Sequence, residues 1–280
     1  MKPFKRYLRM NRQSTNIPIY GGNTMSFFQK VLASVGIGAA KVDTILKKDQ
    51  FIPGEHVFGE VQIKGGDVPQ KIDSIYLSLK STYEKEVDDK KHTSTATVHQ
   101  MKITEAFTIE SNSEKIIPFS FRLPNDTPLT MGRTKLFIST GLDIKNAVDP
   151  SDNDYIQVLP NDLVKRVMNS LSELGFRLIS AECKSASSIY RNRLPFIQEL
   201  EYKPQSGPFY GKLDELEVMF LSIEENTMEL LLQVDRKARG LGGLFAEALE
   251  MDESFVNVTV SINDLPNLKQ KLQAIIDRYA

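Results

Sequence analysis

The stretch HVFGEVQI at residues 56–63 alternates apolar and polar side chains, and this alternation decides the fold class. Its valines, its isoleucine and Gly59 occupy every second position. Successive side chains of a β-strand point to opposite faces, so a period of two gives one dry face and one wet face. The stretch is therefore predicted to be a half-buried strand, and Gly65-Gly66 marks the turn that follows it.

The same period of two recurs along the first half of the chain, at residues 75–80, 117–123 and 136–144. Turn signals such as Pro53-Gly54 separate these segments. Several half-buried strands cannot bury their apolar faces singly, whereas two sheets packed face to face can. Residues 25–150 are therefore predicted to form a β-sandwich.

The second half is also rich in predicted strands, but it begins with a helix. Apolar residues at helical spacing predict a short amphipathic helix over 162–174, and Gly175 is placed as its C-cap. A second β-sandwich is predicted over 154–235, from strand-like segments at 176–179, 194–200, 216–223 and 228–234.

The C-terminal tail, residues 236–280, is predicted to be mainly helical. Helical patterns cover 244–249 and 265–279, and a strand-like alternation over 255–262 lies between them. The predicted fold class is thus mostly β, with two sandwiches in tandem and an α/β tail.

A polar, proline-containing break at residues 146–154 is interpreted as a solvated linker between the two predicted domains. Its aspartates could suggest a calcium site. The order lacks the glycine and the closing glutamate of the twelve-residue calcium loop, so the linker interpretation is preferred.

The composition bounds the class of function. Lys and Arg number 35 and Asp and Glu 36, giving a net charge of −1. Nucleic-acid-binding proteins are normally clearly basic, so no nucleic-acid partner is expected. The single Cys excludes an internal disulfide framework and a cysteine-rich zinc module. Together with three His and no Trp, this favours a cytoplasmic protein that is not an enzyme.

Residues 1–24 carry five basic residues and no acid, and they lack the apolar run of a signal peptide. Gly21-Gly22-Asn23-Thr24 can be encoded by a ribosome-binding site translated in error, so Met25 is the hypothesised start. Residues 1–24 are then a non-native or disordered extension. The alternative is a basic arm for membranes or acidic partners.

The segment after Met25 is amphipathic if it is helical, since Phe28, Val31, Leu32 and Val35 share one face. Such a lead-in either packs on the nearest sheet edge or lies on a membrane surface.

Cys183 and the histidines are the residues most able to carry chemistry. A nucleophilic Cys needs a partner base, yet His56, His92 and His99 all lie in the other predicted domain, so Cys183 is interpreted as a structural thiol. His92 and His99 are seven residues apart, which fits neither one turn of a helix nor one face of a strand. An exposed hairpin is predicted there, and no metal or cofactor is expected.

A candidate partner-contact loop contains Arg236, Lys237 and Arg239, followed by the apolar Leu241. The glycines around Leu241 lack the Gly-Lys-Ser/Thr ending of a phosphate-binding loop. A flexible loop that is both basic and apolar suits contact with a partner. The alternative is a turn whose leucines dock on the protein's own core.

Several motifs carry a resemblance to known families. FIPGEHVFGEVQIKGG at 51–66, KIDSIYLSL at 71–79 and IPFSFRLP at 117–124 resemble the amino-terminal domain of arrestin-like proteins. The chain is more narrowly similar to the bacterial sporulation-control (SpoOM) family over residues 25–280, on ASVGIGAAKVD at 33–43, TGLDI at 140–144, AVDPSD at 147–152 and RGLGGL at 239–244.

The resemblance implies two arrestin-like β-sandwiches and a cytosolic regulator of early sporulation or developmental control. It supplies no catalytic motif that could be transferred to residues of this chain. We therefore expect a non-enzymatic regulatory or scaffold protein that binds other proteins. The alternative is a peripheral membrane-associated adaptor that uses the amphipathic segment after Met25 and the basic loop 236–239.

Overall fold

The computed structural model describes residues 38–88, 90–144, 151–186, 193–236 and 253–280. Within these ranges the chain is mostly β, and the stretch at 56–63 lies in a strand as its alternation predicts. The mostly β fold, predicted as two arrestin-like sandwiches in tandem with an α/β tail, is confirmed. The division into domains stays a prediction.

The first unit consists of two sheets. Its strands are β1 (Lys41–Leu46), β2 (Gln50–Phe51), β3 (His56–Lys64), β4 (Gln70–Val87), β5 (Lys90–Thr104), β6 (Phe107–Ile109), β7 (Glu114–Arg122), β8 (Leu136–Ile144) and β9 (Ser151–Val158). A small sheet has the order β1-β3-β7. The larger sheet is built on β4, which pairs with β5, β6 and β8, while β9 and then β2 extend it. The strands of this unit pair antiparallel except for β2, which pairs with β9 in parallel.

Apolar side chains from both sheets fill the space between them. Val57 and Val61 of the small sheet join Leu77 and Ile138 of the large sheet in one fully buried cluster. Each such side chain contributes about 1.5–3 kcal/mol relative to an exposed one. Because burial of these side chains is favourable, the face of each strand that carries the alternate apolar residues points inward.

The second unit continues the larger sheet. Its elements are helix α1 (Asp162–Glu173), β10 (Phe176–Ser185), β11 (Phe196–Pro204), β12 (Leu213–Ile223), β13 (Thr227–Arg236), β14 (Glu253–Ser261), a 3-10 helix (Ile262–Asn267) and helix α2 (Leu268–Ile276). The five strands have the order β14-β13-β12-β11-β10. The two helices pack on each other, and α1 also packs on β10. The predicted strand in the tail is β14, which pairs along its length with β13.

The two units meet between β4 and β10, where one parallel pair joins Lys184 to Glu84. Arg133 lies between the carboxylates of Glu84 and Glu182, at 3.9 Å and 3.5 Å. The larger sheet is therefore continuous from the first unit to the second.

Capping residues mark both ends of helix α1. The side chain of Asn161 caps its first turn by accepting a hydrogen bond from the Val164 backbone N–H at 2.9 Å. Gly175 follows the helix with a φ of +90°, in the left-handed region expected after a helix end.

The linker interpretation of residues 146–154 is wrong for its second half, because Ser151–Val158 is strand β9. Asp152 and Asp154 lie opposite Thr140 and Ile138 of β8, both of which are fully buried, so these aspartates face the interior of the sandwich. Inward-pointing charges are one way in which proteins protect a sheet edge. The polar sequence therefore belongs to β9, a strand near the edge of the sheet. β2 pairs only with the last two residues of β9, Gln157 and Val158.

Several predicted segments lie outside the described residues: 1–24, the amphipathic segment after Met25, and the helical pattern at 244–249.

Candidate functional site

The structure describes one residue of the candidate partner-contact loop. Arg236 is the last residue of β13, is exposed, and lies opposite Leu213 of β12. Lys237, Arg239 and Leu241 lie outside the described residues, so partner contact by this loop stays a prediction.

Carboxylates surround the end of β13 from which this loop continues. Asp235 lies opposite Glu215, and two residues further along β12 Glu217 lies opposite Glu201 of β11. Burial and the charge of Glu199 raise the pKa of Glu217 to about 7. Like charges directly opposite each other destabilise a sheet. Lys203, at 4.0 Å from Glu201 and 3.8 Å from Glu215, and Lys184, which pairs with Glu199, partly offset this repulsion.

Cys183 lies in β10 and is buried. Its sulfur lies 3.5 Å from the Thr134 hydroxyl. Burial raises the pKa of the Cys183 thiol to about 11, which disfavours the thiolate required of a nucleophile. These observations favour the structural interpretation of this residue.

His92 and His99 both lie on β5, in the long hairpin formed with β4. His92 is exposed, and the ring of His99 stacks on Phe121 of the small sheet at 5.4 Å. In the described part of the chain, no three His, Cys, Asp or Glu side chains are grouped so that they could hold a metal ion.

The outer face of the small sheet exposes large apolar side chains on all three strands. Ile45 of β1, Phe58 of β3 and Ile116 of β7 are 44%, 46% and 58% exposed. Pro118, also exposed, lies between them on β7. The register places Ile45 and Pro118 on either side of Glu60, which accepts a hydrogen bond from the Gln62 side chain at 2.8 Å, so the apolar groups surround a polar pair on β3. We call these four residues the outer strip.

Charged groups border the outer strip. The Lys47 ammonium lies 5.6 Å from the centre of the Phe58 ring, and His56 stacks on the same ring at 5.8 Å. Lys64 and Glu114 pair at 4.0 Å beyond Ile116. The face therefore mixes exposed apolar groups with polar and charged ones, as protein–protein interfaces do.

Sequence reasoning missed the outer strip, although one signal was present. Phe58 occupies a position of HVFGEVQI at which the alternation places polar residues. An aromatic residue on the wet face of a predicted strand marks an exposed apolar site, but its neighbours on β1 and β7 follow only from the register.

Three aspartates meet where β1 crosses β9. The Thr44 backbone N–H donates to Asp152 at 2.8 Å, and the Thr44 and Thr140 hydroxyls lie 2.6 Å apart. Burial, followed by the charge of Asp152, a hydrogen bond with it and the charge of Asp43, raises the pKa of Asp154 to about 7. The edge of the small sheet is thus held over a cluster of three carboxyl groups.

The raised pKa of Asp154 predicts that the unfolding free energy falls as the pH rises. The pKa of Asp154 is about 7 in the folded chain and near 3.9 in the unfolded chain. Its stabilising contribution is complete below about pH 3.9 and is lost as the pH rises through about 7. Over this window the folded chain binds up to about one more proton than the unfolded chain. Asp154→Asn is expected to abolish this difference, so the unfolding free energy of the variant should fall less steeply as the pH rises.

Urea denaturation of both proteins at pH 4, 5, 6, 7 and 8 measures this slope. Asp49→Asn, an exposed aspartate in the turn between β1 and β2, is the control and should follow the unsubstituted protein. Identical slopes for the unsubstituted protein and Asp154→Asn would contradict the assignment.

Among the described residues, no helix is long and apolar enough to cross a membrane.

Comparison with known proteins gives consistent matches over most of the chain. The family model described as SpoOM protein matches residues 28–238. Sporulation-control protein Spo0M of Bacillus subtilis (strain 168) is 44% identical over 259 residues, which cover 91% of this chain and 100% of that protein. The crystal structure of Spo0M from Bacillus subtilis superposes with a TM-score of 0.78 at 43% identity, covering 87% of this chain and 100% of that one.

Proposed function

Because this chain belongs to the SpoOM family, we propose that it is a sporulation-control regulator that binds other proteins without chemically transforming them. The observation that carries the proposal is the outer strip, whose apolar side chains stay exposed on three adjacent strands. Large apolar side chains that stay exposed as a group on one face mark a protein-binding surface, whereas singly exposed ones are ordinary.

The position of the outer strip suits recognition. Antiparallel pairing holds β1, β3 and β7 in a fixed register, so the apolar groups are presented on a rigid surface. The stacking of His56 and the position of Lys47 restrict the Phe58 ring further. A preorganised surface loses little conformational entropy when a partner binds.

The proposal predicts that the outer strip is needed for function but not for folding. Phe58→Ser combined with Ile116→Ser should reduce sporulation at least about tenfold, because each truncated anchor commonly costs more than 1 kcal/mol of binding. The measurement is the sporulation frequency of Bacillus subtilis that lacks its own 44% identical relative and expresses this chain.

Tyr210→Ser provides a matched control, because Tyr210 is 69% exposed on the second unit. Its sporulation frequency should equal that of the unsubstituted chain, and all three proteins should unfold at similar temperatures. Full sporulation by the double variant would reject the outer strip as the binding surface. Failure of the unsubstituted chain, present at the level of the relative and folded, would count against the sporulation role.

A further inference from the structure

The ladder between β11 and β12 ends before the strands do. It runs from Glu199 opposite Met219 to Tyr202 opposite Leu216. Residues 196–198 of β11 and 220–223 of β12 extend beyond it, and the described residues show no ladder pair between these two segments.

Both segments are bonded on their other sides, 196–198 to β10 and 220–223 to β13. Within the described part of the chain, their facing edges therefore carry backbone groups without a ladder partner. We call the gap between them the β11–β12 groove.

A β-bulge explains why the strands separate. The register between β12 and β13 shifts between Phe220 and Ser222, so Leu221 has no partner on β13. A bulge bends its strand and increases the local twist. β12 therefore turns away from β11 where the groove opens.

The walls of the groove are mostly apolar. Consecutive residues of both strands line it, together with Leu194 and the loop at 126–129. Phe196 and Ile223 are buried side chains of these walls. Asp126 is the one charged lining residue among the described residues, and Arg193 neutralises it at 2.6 Å. The groove therefore favours an uncharged, apolar occupant.

The groove is too small for a typical small-molecule ligand. Its volume is about 70 Å³, whereas ligand pockets usually occupy about 300–1,000 Å³. A single side chain on an extended backbone fits a space of this size. The unpartnered strand edges supply the hydrogen bonds that such a backbone needs.

The far wall of the groove is fixed in place. The Gln198 side chain bonds both backbone groups of Leu129, at 2.7 Å and 2.8 Å. The loop at 126–129 is therefore held against β11 without any occupant, and the groove is preformed.

We propose that the β11–β12 groove binds an extended, apolar segment of a partner protein by strand addition. This is a second surface, remote in sequence from the outer strip, and it does not depend on the function proposed for that strip. The backbone of the partner segment pairs with the free edges of residues 196–198 and 220–223, and one of its apolar side chains enters between Phe196 and Ile223.

The test uses a phage-displayed library of random twelve-residue peptides selected on the full chain. We expect enriched peptides with apolar residues at alternate positions. Ser222→Phe, which fills the groove, should weaken their binding at least tenfold. Ser172→Phe, on the exposed face of α1, is the matched control and should bind like the unsubstituted chain. Should Ser222→Phe fail to fold, Leu221→Lys places a charge on the same wall.

Amide hydrogen exchange locates the bound peptide. Amides of residues 196–198 and 220–223 that face the groove should exchange rapidly in the free chain and become protected when peptide binds. The proposal is overturned if no peptide is enriched, if Ser222→Phe binds equally well, or if protection appears elsewhere. Protection already present in the free full chain would show that this chain fills its own groove, which also overturns the proposal.

Discussion

Gln198→Leu is expected to lower the free energy of unfolding by about 1–3 kcal/mol, since it leaves the buried Leu129 N–H without a hydrogen-bond partner. In the folded chain the Leu129 N–H donates to Gln198 Oε1 at 2.7 Å, and Gln198 Nε2 donates to the Leu129 carbonyl at 2.8 Å. Both residues are buried. Leucine matches glutamine closely in size but cannot accept from the Leu129 N–H, whereas the Leu129 carbonyl keeps its bond from the Met131 N–H at 2.9 Å.

Urea denaturation followed by circular dichroism measures the loss. Gln205→Leu is the matched control, because Gln205 is exposed in the turn after β11, and its effect should stay within about 0.5 kcal/mol. Gln198→Glu is a second test, since its carboxylate accepts from the Leu129 N–H but offers no donor to the Leu129 carbonyl. A loss below about 1 kcal/mol for Gln198→Leu would show that water or a shift of the loop satisfies Leu129.

This contact also explains part of what the sequence could not predict. Gln198 and Leu129 are 69 residues apart, and glutamine inside a strand-like segment is ordinary in composition. Its role depends on the loop at 126–129 arriving beside β11, which only the completed fold determines. Hydrophobic period identifies which residues are buried, but it does not identify partners distant in sequence.

Most strands were predictable because burial on one face imposes a period of two on their side chains. The segments at 56–63, 75–80 and 136–144 lie in strands, and so does 117–123 except for its last residue, Leu123. Ser151–Val158 was missed because Asp152 and Asp154 occupy inward positions where the same rule places apolar residues. The alternation of apolar and polar residues is less strict at a sheet edge, because an inward-pointing charged side chain there hinders pairing with a strand of another chain.

Both candidate binding surfaces depend on the register in which neighbouring strands pair. Phe58 is conspicuous in the sequence, but the outer strip needs Ile45 and Ile116 to be placed on neighbouring strands. The β11–β12 groove arises from a bulge of one residue at Leu221, which no local pattern in the sequence announces. Local chemistry therefore predicted the elements, and their pairing created the surfaces.

Gly175 is the position where a local prediction and a long-range contact coincide, and Gly175→Ala is expected to lower the unfolding free energy by about 2–5 kcal/mol. Its φ of +90° is unfavourable for any side chain, at about 1–2 kcal/mol. A β-carbon at this position would also lie 2.1 Å from the Ser206 carbonyl oxygen. Crowding of this kind adds about 1–3 kcal/mol.

Gly211→Ala separates the two contributions, because Gly211 has a similar φ of +74° but a β-carbon there meets nothing within 4 Å. Urea denaturation should show a loss of about 1–2 kcal/mol for Gly211→Ala, which is the backbone contribution alone. The backbone N–H groups of Gln205 and Ser206 both donate to the Gly175 carbonyl, so the loop cannot withdraw from the new methyl group without stretching these bonds. Equal losses at the two glycines would mean that the loop does yield, and that Gly175 serves only as the helix cap its sequence predicts.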